Sequence, residues 1–115
     1  MKLNHINLTV TDVQEASGFL VKYFGMRNMG GNNGMGFLTD EEAGWGFVLT
    51  LMKGMQATYP GNFHIGFFIG GKETIDDLYR RLKEDGFEVP KPEDTGHSYG
   101  FYVQALGGFT VEVGA

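Results

Sequence analysis

Short apolar stretches run along the chain, and their period switches between two and 3.6 residues. From Leu3 to Val10 polar and apolar positions alternate. Ile6, Leu8 and Val10 fall on one side of an extended strand and Leu3, His5, Asn7 and Thr9 on the other. At Asp12 the period changes. Val13, Ala16, Phe19, Leu20 and Tyr23 recur at helical spacing, Asp12 suits an N-cap with Glu15 completing a capping box, and Gly25 stops the helix after Phe24. Extended chain is expected over Met26–Met29 and Gly36–Thr39. Between them Gly30-Gly31-Asn32-Asn33-Gly34 is a hairpin turn, because Asn and Gly tolerate the positive φ that short hairpins require. A turn over Asp40–Gly44 then leads to a strand over Trp45–Met52, so the first half reads β-α-β-β-β.

The second half repeats that order. Residues 54–61, with the turn signal Tyr59-Pro60-Gly61, read as a linker. A strand over Phe63–Ile69 feeds a helix over Lys72–Asp85 that puts Ile75, Leu78 and Leu82 on one face. Its acidic residues (Glu73, Asp76, Asp77) come early and its basic ones (Arg80, Arg81, Lys83) late, matching the helix dipole. Gly86 ends it. Phe87–Val89 is expected to begin another strand, Pro90–Ser98 to be a polar loop, and Tyr99–Gln104 and Gly108–Val113 to be the closing strands. The expectation is one domain, 1–115, of two βαβββ modules, 1–53 and 62–115, and an α+β fold. His5-Ile6 aligns with His64-Ile65, and the intervals through Gly25 and Gly86 align Thr50 with Glu112.

Alternation also sorts the candidate ligands. His64 shares a face with Gly66 and Phe68, and Glu112 with Thr110, so each metal-capable group lies on the less apolar side of its strand. If these faces converge, His5, His64 and Glu112 present two imidazoles and a carboxylate to one point, which suits a hexacoordinate Fe(II) or Mn(II) with open positions for substrate. A single histidine at a strand end is more often just hydrogen-bonded. Two at matched repeat positions, with a carboxylate at a third, favour ligation. Trp45, Phe47, Phe68, Phe101 and Tyr102 could line a pocket, although aromatics at strand spacing serve equally well as core. The Gly30–Gly34 segment is no phosphate loop, since it lacks the lysine and the helix start.

Composition narrows the classes. At 115 residues, 42% hydrophobic and 14% aromatic, the chain can bury one substantial core. It has no cysteine, which removes disulfides, thiolate metal sites and a cysteine nucleophile. A net charge of −5 argues against a nucleic-acid surface. No apolar stretch approaches the length needed to cross a bilayer, so a soluble, cytoplasmic protein is expected. The 19 glycines, with only three prolines, suggest tight turns between short strands.

The opening NHINLTVTDVQEASGFLVKYFGM and the closing FYVQALGGFTVEV resemble the first module and the last strands of the vicinal oxygen chelate superfamily, which comprises glyoxalase, bleomycin-resistance and extradiol dioxygenase proteins. The resemblance implies curved sheets wrapping a cavity, ligand positions at His5, Thr50, His64 and Glu112, a homodimer, and a divalent ion (Fe²⁺, Mn²⁺ or Zn²⁺). Two departures bear on activity. Threonine at position 50 is a poor ligand where glyoxalase I-like proteins carry glutamate, and the closing turn reads Ala105-Leu106-Gly107-Gly108 in place of the usual Asp-Pro-x-Gly. A set of His, His and Glu without the fourth ligand resembles that of the extradiol dioxygenases and the fosfomycin-resistance transferases; the transferases usually carry further basic and potassium-binding residues, and the dioxygenases also use an acid-base histidine or tyrosine. His97 and Tyr99 are the candidates for that role, although a histidine in a polar loop such as Pro90–Ser98 is more often simply solvated. The expected function is thus a metal-dependent dioxygenase or lyase acting on a small oxygen-chelating substrate, with Thr50, Trp45, Phe68, Phe101 and Tyr102 around it. The alternative is a metal-free, bleomycin-resistance-like protein that sequesters an aromatic or cationic drug.

Overall fold

The computed structural model describes residues 1–40, 47–56 and 58–115. These form two compact units, one of Met1–Thr58 with Leu106–Gly108, the other of Tyr59–Ala105 with Phe109–Ala115. Each is built on a four-stranded mixed sheet and one helix. No helix among the described residues is long and apolar enough to cross a membrane.

In the first unit the elements are β1 (His5–Val10), α1 (Val13–Phe24), β2 (Arg27–Gly31), β3 (Met35–Thr39) and β4 (Val48–Lys53), with sheet order β1-β4-β3-β2. The local signals act as expected. Asp12 Oδ1 accepts the Glu15 N–H at 2.9 Å, and Gly25, at φ 65°, closes the helix by donating to the Val21 carbonyl. Asn32 Oδ1 accepts from the N–H groups of Gly34 (2.8 Å) and Met35 (3.0 Å), which builds the β2–β3 turn from one side chain. The apolar stripe of α1 (Val13, Ala16, Phe19, Leu20) is buried, as are Leu8, Val10, Leu38, Leu49 and Leu51 on the sheet. Their strand neighbours His5, Asn7, Thr50 and Phe37 occupy the opposite face. The expected strand from Trp45 begins at Val48 among the described residues, and Trp45 itself lies outside them.

The second unit comprises β5 (Ile65–Phe68), α2 (Gly71–Glu84), β6 (Glu93–Asp94), β7 (Tyr99–Ala105) and β8 (Phe109–Gly114), with sheet order β5-β8-β7-β6. The order matches that of the first unit, with β1 and β5 each parallel to the strand beside them. Ile75, Leu78 and Leu82 of α2 are buried, and so are Phe101, Val103, Phe109, Val111 and Val113 of the sheet. Gly86, at φ 96°, ends the helix, and the following Phe87 N–H reaches back to the Leu82 carbonyl at 3.0 Å.

One expected strand is not formed. Among the described residues Phe87–Val89 joins no β-ladder, and the strand that pairs with β7 on the side away from β8 is the two-residue β6. Pro90 and Pro92 have no N–H to give a ladder, so pairing starts only beyond them. Val89 is nevertheless buried, at 9% exposure, so its side chain reaches the core without a strand to carry it.

The turn between β7 and β8 belongs to the first unit. The Gly107 carbonyl accepts the Thr11 N–H at 3.1 Å. A Cβ on Gly107 would stand 2.9 Å from the Ala16 Cβ, and its φ is 103°, so both space and backbone demand glycine there.

Candidate functional site

The two ladders place Thr50 and Glu112 at equivalent positions. In the first unit Asn7 pairs with Thr50 across β1/β4 and Phe37 pairs with Thr50 across β3/β4. In the second, Gly66 pairs with Glu112 across β5/β8 and Tyr102 pairs with Glu112 across β7/β8. The repeat seen in the residues is therefore also a repeat of register.

In the second unit His64, just before β5, turns toward β8. Its Nδ1 lies 3.1 Å from the Asn62 carbonyl oxygen. A carbonyl only accepts, so Nδ1 carries the proton. The other nitrogen, Nε2, lies 2.9 Å from Glu112 Oε2. The Tyr102 ring meets the imidazole edge-on, with centroids 5.3 Å apart and planes at 87°. Gly66, the β5 residue paired with Glu112, has no side chain; a Cβ there would come within 3.8 Å of Glu112 Oε2. Glycine thus leaves the carboxylate accessible.

This pair suits a divalent ion. With Nδ1 protonated, a neutral His64 aims the Nε2 lone pair at a carboxylate, and two acceptors 2.9 Å apart repel unless a proton or a cation lies between them. The observed separation serves a charge-assisted hydrogen bond when His64 is protonated; when it is neutral, the pair would offer one nitrogen and one oxygen donor to a divalent ion.

His5 lies in the first unit, exposed at the start of β1, with Nδ1 3.1 Å from Asn4 Oδ1. Bonded to that oxygen, Nδ1 is the protonated nitrogen and Nε2 is left with its lone pair. Thr50 donates its hydroxyl to Asn7 Oδ1 at 2.7 Å, with a longer 3.3 Å approach to the Ile6 carbonyl. Among the described residues no three His, Asp or Glu side chains are gathered around one point.

The other predicted residues separate by face. Phe68 (83% exposed) and Tyr102 (48%) share the open face with Glu112. Phe101 is 4% exposed, sits on the α2 side and meets the Tyr79 ring; it is core, and the structure corrects its assignment to a substrate pocket. Tyr99 has the same parity as Phe101 and so also faces α2, across the sheet from Glu112. Its hydroxyl donates to Asp76 Oδ1 at 2.6 Å, and Lys72 Nζ lies 4.9 Å from its ring centre. The bond to Asp76, then desolvation, then the carboxylate's charge hold the phenol above its ordinary pKa. It borders a groove of about 430 Å³ with Asp76, Tyr79, Arg80, Lys91 and Pro92. His97 is exposed in the Thr95–Ser98 turn. The structure brings neither His97 nor Tyr99 to the His64–Glu112 pair. What the sequence did not reveal is the Asn62 carbonyl that selects the His64 tautomer, and the Asn7–Thr50 bond. The first is a backbone group without a residue signature. The second depends on the β1/β4 register, of which parity gives only the face that Asn7 shares with His5.

Comparison with known proteins agrees with this architecture. Residues 2–113 match the family model described as Glyoxalase/Bleomycin resistance protein/Dioxygenase superfamily. A solved structure described as a possible glyoxalase from Bacillus cereus is 46% identical, with a TM-score of 0.91 over 100% of this chain and 99% of that one. The fosfomycin resistance protein FosX from Listeria monocytogenes is 24% identical, with a TM-score of 0.81 over 100% of this chain and 93% of that one, a likeness of fold. An uncharacterized protein of Pseudomonas aeruginosa is 28% identical over 87% of this chain and 76% of its own length. With paired β-α-β-β-β units and a family match along almost its whole length, the chain belongs to the glyoxalase/bleomycin resistance protein/dioxygenase superfamily.

Proposed function

We propose that the protein is a divalent-metal-dependent enzyme in which His5, His64 and Glu112 hold Fe(II), Mn(II) or Zn(II), and that it acts on a small oxygen-chelating substrate by dioxygenase or lyase chemistry. The observation that carries this reading is the His64–Glu112 pair, with Nδ1 committed to the Asn62 carbonyl and Nε2 facing the carboxylate at 2.9 Å. When bound, the ion would supply Lewis acidity toward substrate oxygens. The chain's own residues do the rest. Asn62 holds the ring orientation, Gly66 leaves the carboxylate uncovered, and Tyr102 and Phe68 offer an apolar rim. Two neutral imidazoles and one carboxylate around a divalent ion leave a net positive site, which favours an anionic, bidentate ligand. A homodimer working in the cytoplasm completes the proposal.

Metal content per chain tests it, measured on protein purified without chelator or affinity tag and on a His64→Ala, Glu112→Ala double variant. Near-stoichiometric iron, manganese or zinc that disappears in the variant is the expected result. If both proteins stay metal-free after incubation with Fe(II), Mn(II) and Zn(II), the proposal fails and ligand screening for a sequestered aromatic drug replaces it.

A further inference from the structure

The first unit holds a cavity of about 200 Å³ between the start of α1 and the β2–β3 hairpin. Its walls carry Gln14 and Ser17 from the helix and Asn28, Gly30, Gly31 and Asn32 from the hairpin, all within that unit. Ser17 is the unusual member. It is only 5% exposed, and among the described residues its hydroxyl makes no hydrogen bond. A sealed hydroxyl in that state would be a buried unsatisfied group, and among the described residues there is none. The Ser17 oxygen therefore opens to the cavity. Gly36 of β3 leaves it room, since a Cβ there would lie 3.2 Å from Ser17 Oγ.

The carboxamides around it are fixed by the backbone. Asn28 Oδ1 accepts the Gly30 N–H at 2.8 Å, and Asn32 Oδ1 accepts from Gly34 and Met35. Only the oxygen of a carboxamide accepts, so both oxygens are committed and both NH₂ groups are left to donate. Gln14 turns its Nε2 to Asn33 Oδ1 at 3.5 Å and keeps its own oxygen as an acceptor. None of the lining residues is charged, so an ionic ligand stripped of water here would meet no opposite charge. The volume lies below the roughly 300–1,000 Å³ of sites for drug-sized ligands. We infer that this cavity binds a small neutral polyhydroxy compound, a polyol or monosaccharide. Its hydroxyl groups accept from Asn28 and Asn32 and donate to Gln14, while Ser17 does either. The site is independent of the metal reading above.

The test titrates the full, nitrogen-labelled chain with D-glucose, D-ribose and myo-inositol, and with gluconate as the charged control, following backbone amide resonances by NMR. At least one neutral compound should give saturable shifts at Ser17, Gly30 and Gly31, with gluconate weaker by about tenfold. Ser17→Ala should weaken that binding severalfold, up to about tenfold, the effect of losing one hydrogen bond between neutral groups. Gln14→Ala changes an exposed helix position, leaves the fold intact and should also weaken binding severalfold, so the inference can be judged even if Ser17→Ala does not fold. It is overturned if none of these neutral compounds moves those amides, if either folded variant binds as the parent does, or if gluconate binds as tightly as the neutral compounds.

Discussion

Glu112→Gln separates a metal ligand from a partner in an ordinary ion pair. The change keeps the volume and one oxygen of the side chain and removes its charge. Without metal, Glu112 meets His64 at 2.9 Å, but the two side chains are 28% and 36% exposed. Pairs this open to water are worth about 0–1 kcal/mol. The chelator-treated variant should therefore melt within about 5 °C of the parent, given the few degrees per kcal/mol expected for a chain of this size. With metal the difference is larger. A ligand bound at about 100 times its Kd stabilises by about 2.7 kcal/mol, which raises the parent's melting temperature by about 10 °C. Removing a direct anionic ligand should weaken binding by more than the roughly 10–100-fold typical of outer-sphere changes, so at the same metal concentration the variant should show almost no rise. Thermal melts of both proteins in chelator and over a series of Mn(II) or Zn(II) concentrations give both quantities. A variant that loses about 3 kcal/mol in chelator, yet responds to metal as the parent does, would refute the reasoning and make Glu112 a structural partner of His64.

Other outcomes follow from the same geometry. Gly107→Ala must adopt a φ of 103° and place a Cβ 2.9 Å from the Ala16 Cβ; a loss of about 2–4 kcal/mol in denaturant unfolding is expected, and a loss under about 0.5 kcal/mol would contradict it. Asp12→Ala removes the acceptor for the Glu15 N–H and should cost about 1 kcal/mol, with Asp12→Asn recovering most of it. In an ultraviolet titration one tyrosine should ionise above the ordinary value near 10 and be absent from Tyr99→Phe. The sign follows from the raised pKa: the stabilisation from the Tyr99–Asp76 bond is present in full below about pH 10 and is lost as pH rises through the raised value. His97→Ala, which alters an exposed turn residue, should leave metal affinity unchanged within about twofold.

Much of this molecule was legible from local pattern. The switch of period at Asp12, the stop signals at Gly25 and Gly86 and the alternation through β1, β7 and β8 are properties of a few adjacent residues, and the elements follow them. Alternation also puts His64 and Glu112 on the open faces of their strands, because a side chain's face is set by parity alone. The same rule places Tyr99 with Phe101 on the helix side. Tyr99, a candidate by residue type, is therefore turned to Asp76 of α2 and away from Glu112. The missing Phe87–Val89 strand likewise has a local cause in Pro90 and Pro92, whose lost N–H groups outweighed the apolar pattern before them.

Tertiary structure alone decided the rest. Register is a relation between strands distant in sequence, so only the folded ladders show Asn7 opposite Thr50 where the other unit sets Gly66 opposite Glu112. Which imidazole nitrogen of His64 is free depends on where the Asn62 carbonyl lies, and no residue type encodes the direction of a backbone oxygen. Residue identities supplied the groups that could bind, while the long-range pairing of the chain determined which of them face one another and with which atoms.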